Sequence, residues 1–283
     1  GKQSPLLELE LGRHLGDAQQ GRLAVFGALF VDGGDELAGF LQSATPQAPA
    51  ACLASVLAAE TLPCKLLAGA ADVSGALGWA GLHGRWRDGT LDARGMVVLG
   101  VGGIHAAWLG RLGRAREVDF GVTSLLASLE GHVTVAAPLT VGGFVLVATG
   151  DDRGTSLDEA RDYTSFIGLA PRLPLTSIFF GGGLATTLQS ATVAAVSPDG
   201  SGIVSAGLDV AVTPWGPDTV EAVLQGAVMS ATRASAGGSL YGVEVGLRVE
   251  AYPHDGIQVF ASGAVLVPGA YYGQAALAGQ VYL

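Results

Sequence analysis

The stretch YGVEVGLRVEAY, residues 241–252, alternates strictly between apolar and other side chains. The apolar positions are Tyr241, Val243, Val245, Leu247, Val249 and Ala251, and the charged ones are Glu244, Arg248 and Glu250. A period of two predicts a β-strand with one apolar face and one polar face. In a soluble sandwich the apolar face points inward, whereas in a transmembrane β-barrel it points to lipid and the polar face lines a lumen.

The same alternation continues through the C-terminal third of the chain. It recurs in IVSAGLDVAVTPW (203–215), VEAVLQGAVMS (220–230), IQVFASGAVLV (257–267) and YYGQAALAGQVYL (271–283). The turn-forming sequences TPWGPD and PHDG separate these segments. Strands of this length exceed the usual ~5–6 residues of globular proteins. The pattern predicts consecutive antiparallel strands joined by short turns.

Residues 1–200 continue this meander, with predicted turns at 88–90 (DGT), 130–132 (EGH) and 172–174 (RLP). The total is thirteen strands, and because barrels of bacterial outer membranes have an even number we expect twelve or fourteen. Two insertions interrupt the meander: residues 33–72, with a helix expected over the Ala-rich 48–60, and the charged loop 150–162, expected to be solvated. Both should lie opposite the short turns. No linker is visible, so residues 1–283 are predicted to form one domain.

Composition favours a membrane environment. Only 14% of the residues are charged, against roughly 25% in ordinary soluble domains. The run Leu173–Pro198 contains no charge, and an exposed sheet of that kind would aggregate in water. Transmembrane helices are a second interpretation, disfavoured because the apolar runs are rich in Gly, Val, Thr and Pro. A soluble all-β fold is a third.

The net charge of −10 argues against a nucleic-acid partner, which requires a basic surface. No signal peptide is visible, and the numbering is compatible with a chain that starts after a cleaved one. We expect a bacterial outer-membrane protein with lipid around it, and with periplasmic proteins, surface proteins or a polysaccharide as possible partners.

The two cysteines, Cys52 and Cys64, are close in sequence. A disulfide between them would indicate an oxidising compartment, and two buried free thiols are the alternative. A continuous helix would hold the residues ~18 Å apart, and a disulfide needs Cα atoms within about 7 Å. A bridge therefore requires the helix to end early, which Pro63 permits. We expect the bridge, with a short helix as a cap at the outer rim.

The run SLYGVEVGLRVEAYPHDGIQVFASGAVLVPGAYYG, residues 239–273, resembles the C-terminal hairpins of outer-membrane exporters of the alginate-export type. In those proteins a strand, a short turn, another strand and a PG loop recur. The similarity extends over residues 239–283 at most. It implies an outer-membrane barrel that passes a polysaccharide or assists its export. Our own expectation is a channel that passes a polar solute or assists polysaccharide export.

Enzyme, metal and cofactor motifs are not found in the sequence. The five histidines are not at metal-ligand spacing, and no nucleophile elbow or phosphate-binding glycine loop is present. Outer-membrane lipases pair a Ser with a His on neighbouring strands, a role that spacing alone leaves open for His83 or His132. The simpler interpretation is a lumen or interface histidine, and we predict no catalytic residue, metal or cofactor.

Charged residues at polar positions of the strands are the better functional signal. The predicted lumen-lining residues are His83, Arg85, Arg87, Asp209, Glu221, Glu244, Arg248 and Glu250. Opposite charges on neighbouring strands could set a transverse field in an open, porin-like pore. They could equally neutralise one another inside a structural barrel that anchors partner proteins of an envelope complex and has no open pore. The helix near residues 50–60 folded inward would have the same closing effect.

Overall fold

A computed structural model of the chain describes residues 6–16, 20–32, 36–43, 52, 61–110, 112–151, 162–169, 175–176, 193–197, 200–215, 219–235, 237–254, 257–272 and 278–282. Its elements are β1 (Leu6–Leu15), β2 (Gly21–Asp32), α1 (Glu36–Ser43), α2 (Leu62–Leu67), β3 (Ala71–Arg87), β4 (Leu91–Leu109), β5 (Ala115–Ala136), β6 (Leu139–Ala148), β7 (Ile167–Leu169), β8 (Val193–Ala195), β9 (Ile203–Val212), β10 (Val220–Ser235), β11 (Gly238–His254), β12 (Ile257–Pro268) and β13 (Ala278–Tyr282), with a 3-10 turn at Ala270–Tyr272. The expected helix over 48–60 lies outside the described residues, apart from Cys52.

The predicted all-β, up-and-down architecture is confirmed. Eleven strands form one antiparallel sheet in the order β1-β2-β3-β4-β5-β6-β9-β10-β11-β12-β13. The other two described strands, β7 and β8, pair only with each other. Within the described residues the main sheet thus has eleven strands, against the twelve to fourteen expected, and the two described strands of the β6–β9 connection lie outside it. Its edges, β1 and β13, are not joined to each other by a strand ladder.

The connections differ in length at the two ends of the strands. At one end, called the short-turn edge, the connections are residues 16–20, 88–90, 137–138, 213–219 and 255–256. At the opposite end, the long-connection edge, they include residues 33–70 and 149–202. This placement of both insertions opposite the short turns is the one expected from the sequence. From here on, the insertions are the whole connections that contain them, residues 33–70 and 149–202.

On β9 and β11 the exposed side chains are apolar and the buried ones include charged and hydroxyl groups, which is the reverse of the usual arrangement in a soluble protein. Along β9 the exposed positions are Val204, Ala206, Leu208 and Val210, whereas Ser205 and Asp209 are buried. On β11, Val243, Val245 and Leu247 are exposed while Glu244 is 2% exposed. We call the exposed face the outer face and the other the inner face.

The reversal extends over neighbouring strands. Following the register from β6 to β12, the outer positions of these five strands are Leu, Val, Ile, Ala, Gly or Ser. None of these described positions carries a charge. The charged residues of the same strands, among them Asp209, Glu221, Glu244, Arg248 and Glu250, fall on the inner face in register with one another. The alternation first noted in residues 241–252 is thus shared by the whole second half of the sheet.

Near the long-connection edge the inner face is covered by apolar residues from both insertions. Helix α1 contributes Leu37, Phe40 and Leu41, all fully buried, and α2 contributes Leu62 and Leu66. Both helices pack against β3. The main-chain N–H of Leu37 donates to the carboxylate of the buried Asp32 at 3.1 Å, which ties the start of α1 to the end of β2.

The β6–β9 connection covers the same part of the inner face. Tyr163, Phe166 and Ile167 are buried in one core with the insertion helices, and Phe40 meets Tyr163 edge to face at 5.6 Å. The indole N–H of Trp79 on β3 donates to the carbonyl of Ile167 at 2.7 Å. The two insertions therefore pack against each other as well as against the sheet.

The expected disulfide is confirmed. Cys52 and Cys64 are bridged with their Cα atoms 5.5 Å apart. Their surroundings differ from the expected cap, because α2 follows Cys52 and packs with α1 in the buried core. The bridge thus attaches Cys52 to a helix that packs on the inner face of the sheet.

Two local features depart from the sequence pattern. A β-bulge on β11, where the pairing shifts between Met229 and Ser230 of β10, turns Tyr241 into the interior, so that it does not share the outer face with Val243. Its hydroxyl donates to the carbonyl of Gly202 at 2.8 Å. The predicted turn at 130–132 is wrong: β5 runs through it, and the chain turns at 137–138.

Truncating a buried side chain of α1 should destabilise the fold. We expect Leu41→Ala to lower the free energy of unfolding by about 2–5 kcal/mol, because a fully buried leucine leaves a cavity. Leu112→Ala is the matched control, since Leu112 is 85% exposed in the turn after β4 and should change stability by less than about 0.5 kcal/mol. Denaturant unfolding followed by tryptophan fluorescence measures both, and equal effects would contradict the internal position of α1.

Candidate functional site

A polar cavity of about 760 Å³ opens on the inner face near the short-turn edge. Its lining comes from seven strands, β3 to β6 and β9 to β11, and from the β3–β4 turn. For residues of so many neighbouring strands to surround one space, the sheet must be strongly curved. The cavity is therefore enclosed by the sheet itself, with the apolar core of the insertions at its deeper end.

The inner face in and around the cavity is organised in rows of side chains that lie side by side on paired strands. The first row, nearer the short turns, is Arg87, Asp92, His132, Gly142, Asp209, Gln225 and Gly246. The second row is Arg85, Arg94, Glu130, Phe144, Gly207, Ala227 and Glu244. Charged residues of both signs are therefore neighbours on one face.

Ion pairs between adjacent strands neutralise one side of this wall. Asp92 accepts hydrogen bonds from both Arg85 and Arg87, with a shortest distance of 2.6 Å to each. Arg94 makes a two-point contact with Glu130, at 2.8 Å through Nε and 2.9 Å through Nη2. Bidentate pairs of this kind fix the planar guanidinium as well as its charge. Arg85 and Arg94 are directly paired in the β3–β4 ladder, and these two carboxylates offset the repulsion between their positive charges.

A third pair crosses an intervening strand. His132 of β5 and Asp209 of β9 lie on either side of Gly142 of β6, and their nearest atoms are 3.4 Å apart. A Cβ at position 142 would stand 2.8 Å from the Asp209 carboxylate and would overlap the His132 ring. The contact thus exists because residue 142 has no side chain.

The rim of the cavity is formed by the β3–β4 turn and the ends of β10 and β11. Asp88 accepts hydrogen bonds from the main-chain N–H groups of Leu91 and Thr90 and from the Trp86 indole, and these donors hold its pKa below the ordinary value. Across the opening, Arg248 pairs with Glu250 at 3.0 Å. The β3–β4 turn is therefore stabilised by its own carboxylate, that of Asp88, rather than by a contact across the cavity.

The deeper end of the cavity is formed by Leu175 and Thr176 of the β6–β9 connection. The Thr176 hydroxyl donates to the carboxylate of Glu244 at 2.8 Å, and the Gln225 amide donates to the carbonyl of Leu175. Leu175 also packs against the apolar core. These two residues stand where the polar cavity meets the apolar interior.

All eight residues predicted to line a lumen lie on the inner face, but the structure does not bring all of them together. Arg87, Asp209, Glu221 and Arg248 border the cavity. Arg85 and Glu250 are held by the ion pairs above, and Glu244 lies next to the cavity without bordering it, bound to Thr176. His83 lies away from it, 3.4 Å from Glu10 of β1. Whether this face lines a continuous lumen stays a prediction.

Four wall residues were missing from the predicted set: Asp92, Arg94, Glu130 and His132. Asp92 and Arg94 alternate with apolar residues in LDARGMVV, which is the signal that identified the others. Glu130 and His132 fell in the segment interpreted as a turn, so that their alternation was not used. For His132 the sequence left open an enzyme role beside the simpler interpretation of a lumen or interface histidine, and this residue was not placed in the predicted set.

The cavity carries mixed charge and many hydrogen-bonding groups. Its charged lining comprises three arginines and five carboxylates, with His132 between them. Within the described residues, no group of three or more His, Cys, Asp or Glu side chains is placed to hold a metal ion. The arrangement is suited to holding water and polar solutes.

Comparison with models of known protein families finds no family that matches the chain, and comparison with curated proteins finds no relative. Among the residues that the structure describes, no helix is long and apolar enough to cross a membrane.

Adding one methyl group at residue 142 should break the cross-strand pair. We expect Gly142→Ala to force His132 and Asp209 apart and to lower the free energy of unfolding by about 1–3 kcal/mol, because the added atom overlaps the wall. Gly131→Ala is the control, since nothing lies within 4 Å of its Cβ position. Denaturant unfolding compares the two variants, and a harmless Gly142→Ala would show that the pair is not closely packed.

Proposed function

We propose that residues 1–283 form a single transmembrane β-barrel domain of a bacterial outer membrane. The reversed polarity of the sheet is the observation that carries this proposal. Outer rows of Val, Leu, Ala and Gly opposite inner rows of Arg, Asp and Glu are costly in water and favourable in lipid. No enzymatic step is part of the proposal.

The height of the apolar surface supports the same proposal. On β4 the outer row runs without charge from Leu91 to Gly103 and ends at His105, which pairs with Asp119 at 2.8 Å on the outer face. Twelve steps of about 3.4 Å, tilted by roughly 40°, span about 30 Å, which matches a bilayer core. Trp86 and Trp215 are exposed near the short-turn edge, where interfacial aromatics are expected.

A barrel requires the edges β1 and β13 to be joined, because unpaired backbone groups are strongly disfavoured in lipid. One shared core already contains residues from β2, such as Phe30, and from β12, such as Leu266. The sheet therefore curves around common contents, which favours closure. Both edge strands start at the long-connection edge, so a direct junction between them would be parallel.

For the role of the barrel, the geometry favours the structural alternative over an open pore. Apolar residues of α1, α2 and residues 162–169 fill the inner face near the long-connection edge. The polar cavity ends against Leu175 and Thr176. We therefore propose a closed barrel that anchors partner proteins of an envelope complex, with the long-connection edge at the cell surface.

Passage of a polar solute is the second candidate, and the charged cavity favours it. A barrel with a purely structural interior has no need of a 760 Å³ polar space facing the short-turn edge. Transport, or assistance to polysaccharide export as the resemblance at residues 239–283 implies, would require the insertions to move. In that case the cavity is the entrance on the periplasmic side.

The membrane assignment is tested by placing the same charge on either face. We expect Val245→Lys, on the outer face, to destabilise the barrel in lipid vesicles by about 2–4 kcal/mol if that site is near the bilayer midplane. Val223→Lys is the matched control, because Val223 borders the polar cavity. Unfolding from vesicles by guanidinium measures both, and equal costs, or a wild-type chain that is soluble without detergent, would refute the assignment.

Planar-bilayer recordings separate the two roles. We expect the wild-type protein to insert without stepwise ion conductance, because the described insertions fill the interior. That the protein has entered the bilayer is verified independently by the protection of its strands from protease. Steady conductance that changes when Arg248 is replaced by Ala would instead establish an open path through the cavity.

A further inference from the structure

Glu244 is the most deeply buried charged side chain among the described residues, at 2% exposure. It lies in the second row, directly opposite Ala227 of β10 and Leu266 of β12. Since both of these neighbours are apolar, an apolar side chain would also fit at position 244. A carboxylate here must be desolvated, and ionisable residues inside membrane-spanning segments are costly and mark functional sites.

The contacts of Glu244 place this costly group at a boundary. Its carboxylate accepts the Thr176 hydroxyl at 2.8 Å, and one step away in the ladder the Gln225 side chain binds the carbonyl of Leu175. Leu175 and Thr176 border the polar cavity on one side, and Leu175 packs on the apolar core on the other. Two polar side chains of the wall therefore hold two consecutive residues that separate the two compartments.

We propose that Gln225, Glu244, Leu175 and Thr176 form a releasable latch that keeps the polar cavity separate from the interior of the barrel. This inference rests on the proposed closed barrel and assigns the control of its closure. Elsewhere the insertions are held by buried apolar side chains such as Phe40 and Leu41, whose separation exposes hydrocarbon. Gln225, Glu244 and Thr176 act in the latch through hydrogen bonds, which water entering from the cavity can replace.

The latch can be tested by the accessibility of a site directly behind it. Ala227 is 6% exposed, does not border the cavity and is paired with Glu244 in the ladder. In Ala227→Cys the introduced thiol is the only free one, because the two native cysteines are bridged. The full-length protein is reconstituted in lipid vesicles, and its reaction with a charged, membrane-impermeant maleimide is followed by mass spectrometry.

We expect Ala227→Cys alone to react slowly. Adding Thr176→Val, which removes the hydroxyl donor at nearly constant side-chain volume, together with Gln225→Ala should raise the rate by roughly tenfold or more, since two ordinary hydrogen bonds are lost. Adding Glu221→Gln is the matched control, because Glu221 borders the cavity and is not part of the latch. That control should leave the rate unchanged.

Equal rates in the latch and control variants, with all of them inserted in the vesicles, would overturn the latch and leave the barrel proposal standing. A fast reaction of Ala227→Cys alone would show that no partition exists. Refutation of the barrel itself comes from the comparison of Val245→Lys with Val223→Lys, which does not depend on the latch. The two proposals can therefore fail separately.

Discussion

The pairing of adjacent strands forces side chains to alternate between two faces, and the distribution of charge between those faces determines the rest of this structure. Once Val245 and Leu247 are on the outer face, Glu244, Gly246 and Arg248 must be on the inner one. The inner face then has to neutralise its charges locally. It does so through partners on neighbouring strands, such as Arg94 with Glu130, because long side chains in one row are within reach of each other.

Along the strand direction the inner face has two parts, and the two parts bury their side chains in different ways. Near the short turns, paired charges and a polar cavity of about 760 Å³ avoid the cost of isolated buried ions. Near the long connections, Leu77, Ile104 and Phe120 meet the apolar residues of the insertions. Glycines make both solutions possible, since a side chain at Gly142 or Gly207 would collide with His132 or Phe144 from the adjacent strand.

Alternation and turn residues were sufficient to predict the strands, the reversed polarity and the inner position of residues such as Asp209 and Arg248. They failed where a local sequence was ambiguous. EGH at 130–132 resembles a turn, but β5 continues because β4 and β6 pair with it on both sides there. The bulge that buries Tyr241 and the inward packing of α1 depend on contacts with distant residues such as Gly202 and Tyr163, which no local pattern contains. The disulfide was predictable because only two cysteines exist, close together and separated by a proline.

The order of strands in the sheet has a consequence for how the chain acquires its shape. Each strand of the main sheet lies beside its neighbour in sequence, except that β9 follows β6 across residues 149–202. Nearly all the ladders are therefore hairpins whose loop-closure entropy is small, and two blocks, β1–β6 and β9–β13, can form independently. Joining the blocks and seating the insertions between them are the non-local events. The rate of folding should accordingly depend on the pairing of β6 with β9, although this ladder is one of the shorter ones in the main sheet.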